Sequence, residues 1–207
     1  TERRCVVAAE DTLVDGFTIR NGYHGGADGS ESAAFTQPGR GGGIFCGSRS
    51  VEIRNCRFEN NVAEGGSAYA FGEYGGDGQG GAIYTLSESV RIFDCSFAGN
   101  MARGNLGNVI YGDGNGTGGA VFIDSGDCRV VGCTFEYNMA ASADNETIAN
   151  EPGDALGGAL YLRDAECEIS ETTLRANTAM GEASLFMVCG EGQGGGMYAE
   201  NCTITVL

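Results

Sequence analysis

Gly80-Gly81-Ala82-Ile83, followed by Phe97-Ala98-Gly99-Asn100, is the stretch that decides the fold, because both blocks return at a nearly constant spacing. The apolar residue that ends the glycine block recurs after 39, 38, 39 and 37 residues, at Ile44, Ile83, Val121, Leu160 and Met197. Fourteen residues after each of the first four anchors comes a bulky residue: Phe58, Phe97, Phe135 and Leu174. An asparagine follows three residues later, at Asn61, Asn100, Asn138 and Asn177. Two motifs that keep step in this way indicate a repeat protein.

The residues between the two blocks predict β-strands. Apolar side chains alternate with polar ones, as at Val51 and Ile53 and again at Val90 and Ile92, and turn residues bound each run. Strand units of this kind bury their apolar face by stacking, so the sequence predicts an all-β parallel β-helix, or β-solenoid, of about five coils. We expect residues 1–207 to be a single segment of a larger protein, because the chain begins at Thr1 and ends within a strand-like run.

The composition narrows the classes of partner and the compartment. The 207 residues include twelve arginines, no lysine and 28 acidic residues, which gives a net charge of −16. This charge disfavours nucleic acid and anionic membranes as partners, and the apolar runs are too short for membrane insertion. Nine cysteines without a CxxC pair favour an oxidising compartment, so we expect an extracellular or cell-surface protein.

Stacking turns aligned positions into neighbours, and the cysteines align in two inward-facing columns. One column holds Cys56, Cys95 and Cys133, and the other holds Cys128 and Cys167. Neighbouring coils bring Cα atoms within disulfide range. The sequence therefore allows a Cys128–Cys167 disulfide and one pair within the first column, or buried free thiols instead.

Outward positions of the same alignment carry opposite charges on successive coils. Such neighbours stabilise adjacent strands modestly. Five pairs follow this rule: Arg20 with Glu59, Asp15 with Arg54, Glu52 with Arg91, Arg129 with Glu168, and Glu136 with Arg175. Because charge was not used to choose the alignment, the pairs support the predicted register independently.

The repeated blocks also carry a resemblance to a known family. Gly-Gly-Ala-Ile at 80–83 and Phe-Ala-Gly-Asn at 97–100 resemble the paired repeats of the polymorphic outer-membrane proteins of chlamydiae. The stretch at 13–22 is similar to a coil of many secreted right-handed β-helix proteins. The resemblance implies a right-handed parallel β-helix that is secreted or surface-displayed and often adhesive or structural. Leu174 in place of phenylalanine, and glycine in place of alanine at Gly43 and Gly196, depart from the pattern.

Long loops are expected on one flank, at 22–41, 62–80, 101–118, 139–157 and 178–194. They form either an interaction surface or a cover over the strands. Four acidic residues precede the glycine blocks and are candidate calcium ligands, since calcium takes carboxylate oxygens from loops: Asp77, Asp113, Asp154 and Glu191. The alternative is that these acids sit in solvated turns.

The sequence favours a structural or adhesive module that assembles end to end into a filament, with the loops as its interaction surface. Its expected partners are other coils or copies of the same protein, carbohydrate or surface proteins. The alternative is a pectin-lyase-like polysaccharide lyase or hydrolase, because this fold also houses enzymes. His24 is the only histidine, and Arg40 and Arg57 are the unassigned basic candidates near outward strand positions. No acid–base pair is therefore indicated and no catalytic residue is predicted.

Overall fold

A computed structural model describes residues 3–29, 36–47, 49–68, 73–108, 111–143, 152–181 and 189–207. These residues form twenty-five short strands and no helix. Accordingly, none of them belongs to a helix with the length and apolarity of a membrane span. The prediction of an all-β solenoid is confirmed.

In chain order the strands are β1 (Val6–Ala8), β2 (Thr12–Asp15), β3 (Thr18–Arg20), β4 (Tyr23–Gly25), β5 (Gly39–Arg40), β6 (Ile44–Cys46), β7 (Ser50–Arg54), β8 (Arg57–Glu59), β9 (Val62–Glu64), β10 (Gly78–Gln79), β11 (Ile83–Thr85), β12 (Ser89–Phe93), β13 (Ser96–Ala98), β14 (Met101–Arg103), β15 (Gly116–Thr117), β16 (Val121–Val131), β17 (Thr134–Glu136), β18 (Met139–Ala141), β19 (Ala155–Leu156), β20 (Leu160–Ser170), β21 (Thr173–Arg175), β22 (Thr178–Met180), β23 (Gly192–Gln193), β24 (Met197–Glu200) and β25 (Thr203–Val206).

The strands stack into four sheets that run along the solenoid axis. One ten-stranded sheet contains the strands that follow the glycine blocks, in the order β1-β6-β11-β16-β12-β7-β2 with β20, β24 and β25 beyond β16. The other three sheets have five strands each: β3-β8-β13-β17-β21, β4-β9-β14-β18-β22 and β5-β10-β15-β19-β23. Five stacked strands in each of these sheets correspond to about four complete turns of the solenoid, which is close to the predicted number of coils.

The register follows the sequence repeat. Every strand pair of the described residues is parallel, and Ile83 lies opposite both Ile44 and Val121. Leu160 in turn lies opposite Val121 and Met197. Residues one repeat apart are therefore vertical neighbours, and the first four anchors are completely buried in one apolar core.

A second column of the core consists of stacked phenylalanines. Ile19, Phe58, Phe97, Phe135 and Leu174 lie opposite one another in successive strands. The Phe97 ring stacks on Phe58 at a centroid distance of 4.7 Å and on Phe135 at 4.4 Å. Buried aromatic pairs of this kind contribute packing energy beyond their buried area.

The loop flank is shorter than predicted, because both ends of each expected loop form strands. The span 22–41, for example, contains β4 and β5. The strand at the far end of each loop begins with glycine in β5, β10, β15 and β23, and at two of these positions the space admits no side chain. A β-carbon on Gly78 would lie 2.2 Å from the Arg103 carbonyl oxygen, and one on Gly116 would lie 2.1 Å from the Ala141 carbonyl oxygen. Of the bulky side chains in these loops, Tyr69, Phe71, Ile110, Leu185 and Phe186 lie outside the described residues. The Tyr74 and Tyr111 rings meet edge to face at a centroid distance of 5.4 Å.

Candidate functional site

An aromatic column runs along the outside of the large sheet, between the strands and the loop flank. Its members are the residues directly after the anchors: Phe45, Tyr84, Phe122, Tyr161 and Tyr198. Successive ring centroids are 5.7, 5.0, 4.7 and 5.7 Å apart. Although these side chains point away from the core, the middle three are buried. The sequence contains the signal for this column, an aromatic residue directly after every anchor, but the column was not predicted.

Arginine side chains cover the aromatic column. The guanidinium carbon of Arg4 lies 5.1 Å from the Phe45 centroid, that of Arg40 lies 5.0 Å from Tyr84, and that of Arg163 lies 5.3 Å from Phe122. Contacts of this geometry are favourable because the ring face is electron-rich. They hold the cationic heads in place along the column.

Carboxylates balance the charge in the middle of the column. Asp124 accepts two bonds from Arg163, at 2.8 and 2.7 Å, and one from the Tyr84 hydroxyl at 3.2 Å. Burial raises the pKa of Tyr84 to about 12. Burial and the hydrogen bond to Glu200 likewise raise the pKa of Tyr161. Both phenols therefore stay protonated and donate at neutral pH.

At the N-terminal end of the column lies a depression of about 540 Å³, which we call the arginine depression. Its described lining consists of Arg4, His24, Gly25, Gly26, Ala27, Gln37, Pro38, Arg40 and Phe45. The Arg40 backbone N–H donates to Nδ1 of His24 at 2.8 Å. Arg4 donates from Nε to the Gly41 oxygen at 3.1 Å and from Nη2 to the Arg40 oxygen at 2.9 Å. Three separate segments of the chain thus meet at this place.

A second depression, of about 300 Å³, has the opposite charge. Its lining is Asp127, Glu166, Cys167, Glu168, Thr205 and Leu207. Asp127 lies directly opposite Glu166 on the next coil. The two depressions therefore differ in the sign of the charge that they would attract.

Three of the four calcium candidates belong to a hydrogen-bond column. Asp77 Oδ1 accepts the Asn115 N–H at 2.8 Å, Asn115 Oδ1 accepts the Asp154 N–H at 2.7 Å, and Asp154 Oδ1 accepts the Glu191 N–H at 2.8 Å. Each side chain oxygen thus binds the backbone of the next coil. Burial raises the pKa of Asp77, while the Asn115 N–H and Arg40 oppose that rise. An asparagine performs the same task at 115, so this role does not need a metal ion.

Asp113, the fourth candidate, lies outside this column. It is buried, and its Oδ1 accepts the Gly107 N–H at 2.6 Å. Its Oδ2 is buried without a hydrogen-bond partner, as is Oε2 of Glu73. Within the described part of the chain, no group of three or more His, Cys, Asp or Glu side chains is arranged to hold a metal ion. Calcium binding therefore stays a prediction, and Asp113 is its main candidate.

The repeated asparagines form a buried ladder along the axis. Nδ2 of Asn61, Asn100 and Asn138 each donates at 2.9 Å to Oδ1 of the next asparagine, which ends at Asn177. The same oxygens accept the backbone N–H groups of Asn61, Asn100 and Asn138 at 3.0 Å. The side chains thereby satisfy turn backbone groups that burial would otherwise leave unpaired.

The cysteine columns differ in their chemistry. Cys128 and Cys167 form a disulfide. Cys56, Cys95 and Cys133 are buried free thiols. The Cys56 N–H donates to the Cys95 sulfur at 3.4 Å, and the Cys133 N–H donates to the Thr172 hydroxyl at 3.3 Å. The column thus satisfies turn amides as the asparagines do.

Of the five predicted charge pairs, three form ion pairs: Arg54 with Asp15 at 3.0 Å, Arg129 with Glu168 at 2.8 Å and Arg175 with Glu136 at 2.7 Å. The other two pairs lie opposite one another in register. Of the candidates for an enzyme base, Arg57 is exposed on β8, whereas Arg40 and His24 line the arginine depression.

Comparison with models of protein families, with curated proteins and with solved structures gives no match to this chain. The fold is thus established by the geometry of the chain itself. The resemblance to the chlamydial repeats has no support beyond the two motifs.

Proposed function

We propose that this chain is a structural or adhesive module of a β-helix protein secreted or displayed at the cell surface. The observation that carries the proposal is the use of repeated polar positions along the axis. The asparagine ladder, the column from Asp77 to Glu191 and the three ion pairs all join one coil to the next. Side chains used in this way build a stiff rod with a lateral surface. The two sequence motifs of the chlamydial type support the same function.

End-to-end assembly would continue the columns that stack one coil on the next. Leu174 is 37% exposed, whereas Phe135 in the same column of the preceding coil is 0% exposed. Val206 is 71% exposed on β25, which pairs with β20. A further coil would cover these positions, whether it belonged to a longer chain or to a second copy. We propose that copies of the chain stack in this way, because the first coil carries the same apolar columns at Val6 and Ile19.

The assembly is tested by analytical ultracentrifugation and electron microscopy of the purified chain over a range of concentrations. We expect rods that lengthen with concentration, and we expect Leu174→Asp to keep the chain monomeric. Leu86→Asp, at an exposed position away from the last coil, is the matched control and should still assemble. A chain that stays monomeric at every concentration, or equal assembly of both variants, would contradict end-to-end stacking.

Turnover assays test the enzyme alternative separately. The chain is incubated with uronate polymers with and without calcium, and new chain ends are measured. Cleavage that is lost in Arg57→Ala would replace the structural proposal with a lyase or hydrolase.

A further inference from the structure

We propose that the column of buried thiols at Cys56, Cys95 and Cys133 binds one copper(I) ion, held in line between the sulfurs of Cys95 and Cys133. The proposal goes beyond the structural role of the chain and does not depend on end-to-end assembly. It rests on the spacing of the sulfurs, the backbone groups that surround them and the number of thiols that meet at one point.

The three sulfurs occupy the same place in successive coils. The cysteines directly precede β8, β13 and β17, which pair in register. Each sulfur lies 3.1–3.3 Å from the carbonyl oxygen two residues before it and 3.6–3.7 Å from a carbonyl oxygen of the preceding coil. Because the surroundings repeat, neighbouring sulfurs are separated by roughly one strand spacing, about 4.8 Å. Two metal–thiolate bonds of about 2.3 Å placed in line span about 4.6 Å, so a cation fits between neighbouring coils.

Hydrogen-bond donors point at the sulfurs and would stabilise thiolates. The Phe17 N–H donates to the Cys56 sulfur and the Cys56 N–H donates to the Cys95 sulfur, both at 3.4 Å. The hydrogen bond from the Cys95 thiol lowers the pKa of Cys133, burial opposes that change, and the Cys95 N–H adds to the lowering. Hydrogen bonds to the charged form of a group favour that form. Cys95 and Cys133 are thus the two thiols of the column that already interact.

The number of thiols at one point selects the metal. A cation between two coils contacts two sulfurs, and the third thiol of the column lies one coil further away. Within the part of the chain that the structure describes, no three His, Cys, Asp or Glu side chains form a metal site. Structural zinc needs four ligands, so the column does not suit zinc. Soft thiolates select copper(I), and two of them in line suffice for it.

The binding step exchanges two protons for one cation. Each thiol releases its proton to the solvent as its sulfur bonds to the metal. The bound group of two thiolates and copper(I) therefore carries one negative charge, which the N–H donors offset in part.

An acidic turn covers the site. Asp94 is exposed directly before Cys95. A β-carbon on Gly132, the residue before Cys133, would collide with Asp94 Oδ1, so this carboxylate lies over both turns. It attracts cations, as does the net charge of −16. Because Cys95 and Cys133 are only 2% and 1% exposed, a cation enters when this turn opens, and we expect slow loading.

Competitive titration of the whole chain with copper(I) against bathocuproine disulfonate, under argon and after long equilibration, tests the site. The more accessible thiols are first removed as Cys5→Ser/Cys189→Ser/Cys202→Ser, because they could bind copper(I) on their own. We expect this reference chain to bind one copper(I) and no zinc(II). X-ray absorption of the copper-loaded chain should show two sulfur neighbours at about 2.3 Å.

Serine substitutions in the reference chain locate the ligands. Cys95→Ser and Cys133→Ser should each weaken copper(I) binding by about a hundredfold, because the second thiolate that binds within the same molecule is lost. Cys56→Ser should bind as the reference chain does. Cys46→Ser is the matched control, since this buried thiol lies opposite Ala8 and Thr85 rather than another cysteine.

The serine variants should keep the fold, because a hydroxyl already takes the next position of the column. Thr172 Oγ1 accepts the Cys133 N–H at 3.3 Å and donates to carbonyl oxygens as the thiols do. Circular dichroism of each variant establishes this before affinities are compared. Copper(I) affinity of Cys95→Ser or Cys133→Ser equal to that of the reference chain, an equal loss in Cys46→Ser or Cys56→Ser, three or more sulfur neighbours, or stoichiometric zinc(II) binding would overturn the proposal.

Discussion

Replacement of Asn100 by alanine tests the energetic role of the asparagine ladder. The Asn100 side chain is fully buried and makes four hydrogen bonds. Two of them satisfy backbone groups: Oδ1 accepts the Asn61 N–H, and Nδ2 donates to the Phe58 carbonyl, both at 3.0 Å. A buried polar group that loses its partner costs about 1–3 kcal/mol. With two such groups and two weakened side-chain bonds, we expect Asn100→Ala to lower the free energy of unfolding by about 4 kcal/mol.

Asn177→Ala is the matched control, because it removes the same side chain from the last rung of the ladder. Asn177 is half-buried, so water can reach the groups that it leaves behind. We expect a loss of about 1–2 kcal/mol there. Urea unfolding followed by circular dichroism measures the stability of both variants. If the free energy of unfolding falls by about 3 kcal/mol per M urea, the unfolding midpoint of Asn100→Ala lies roughly 1 M urea below that of the wild type. A loss below about 1 kcal/mol, or equal losses in both variants, would refute the reasoning.

Four further predictions follow from other contacts. Phe97→Ala leaves a cavity between two stacked rings. It should lower the free energy of unfolding, measured in urea, by about 3–5 kcal/mol, whereas Tyr137→Ala at an exposed position should lower it far less. Cys128→Ala/Cys167→Ala should lower the free energy of unfolding by up to about 4 kcal/mol, because the disulfide spans 39 residues; unchanged stability would contradict this. The pKa of Asp77 is raised above 3.8 in the folded protein, so its protonated form favours folding. The stability of the wild type relative to Asp77→Asn should therefore fall as the pH rises from below 3.8 through the raised pKa. A difference in stability that does not change with pH would contradict the burial argument. Calcium chloride should raise the thermal midpoint of the wild type relative to EDTA but not that of Asp113→Asn, and equal midpoints with and without calcium would contradict the calcium prediction.

The fold could be predicted because a solenoid repeats its neighbours in the sequence. Ile44 and Ile83 are 39 residues apart and lie opposite each other, so the spacing alone gives the register. The Cys128–Cys167 disulfide follows from the same alignment, although the sequence left free thiols open. The strands at Gly39, Gly78 and Gly116 were not predicted, because two-residue strands have no alternation and depend on backbone contact with the next sheet.

The candidate site could be predicted only in part. The aromatic column was detectable, since Phe45 and Tyr84 directly follow their anchors. The arginine depression was not, because Arg4, His24 and Arg40 come from three separate segments of the chain and their meeting depends on loop geometry. The sequence shows that acids precede the glycine blocks, but only the structure reveals that Asp77 binds a backbone N–H.

The stacking of one repeat on the next is tested most directly by methyl-resolved nuclear Overhauser spectroscopy of isotopically labelled protein. The side chains of Ile44, Ile83, Val121 and Leu160 are buried in one column with neighbours in adjacent strands. We expect cross-peaks between Ile44 and Ile83, between Ile83 and Val121, and between Val121 and Leu160. Cross-peaks that connect these methyl groups to other partners, without the three predicted contacts, would contradict the solenoid register.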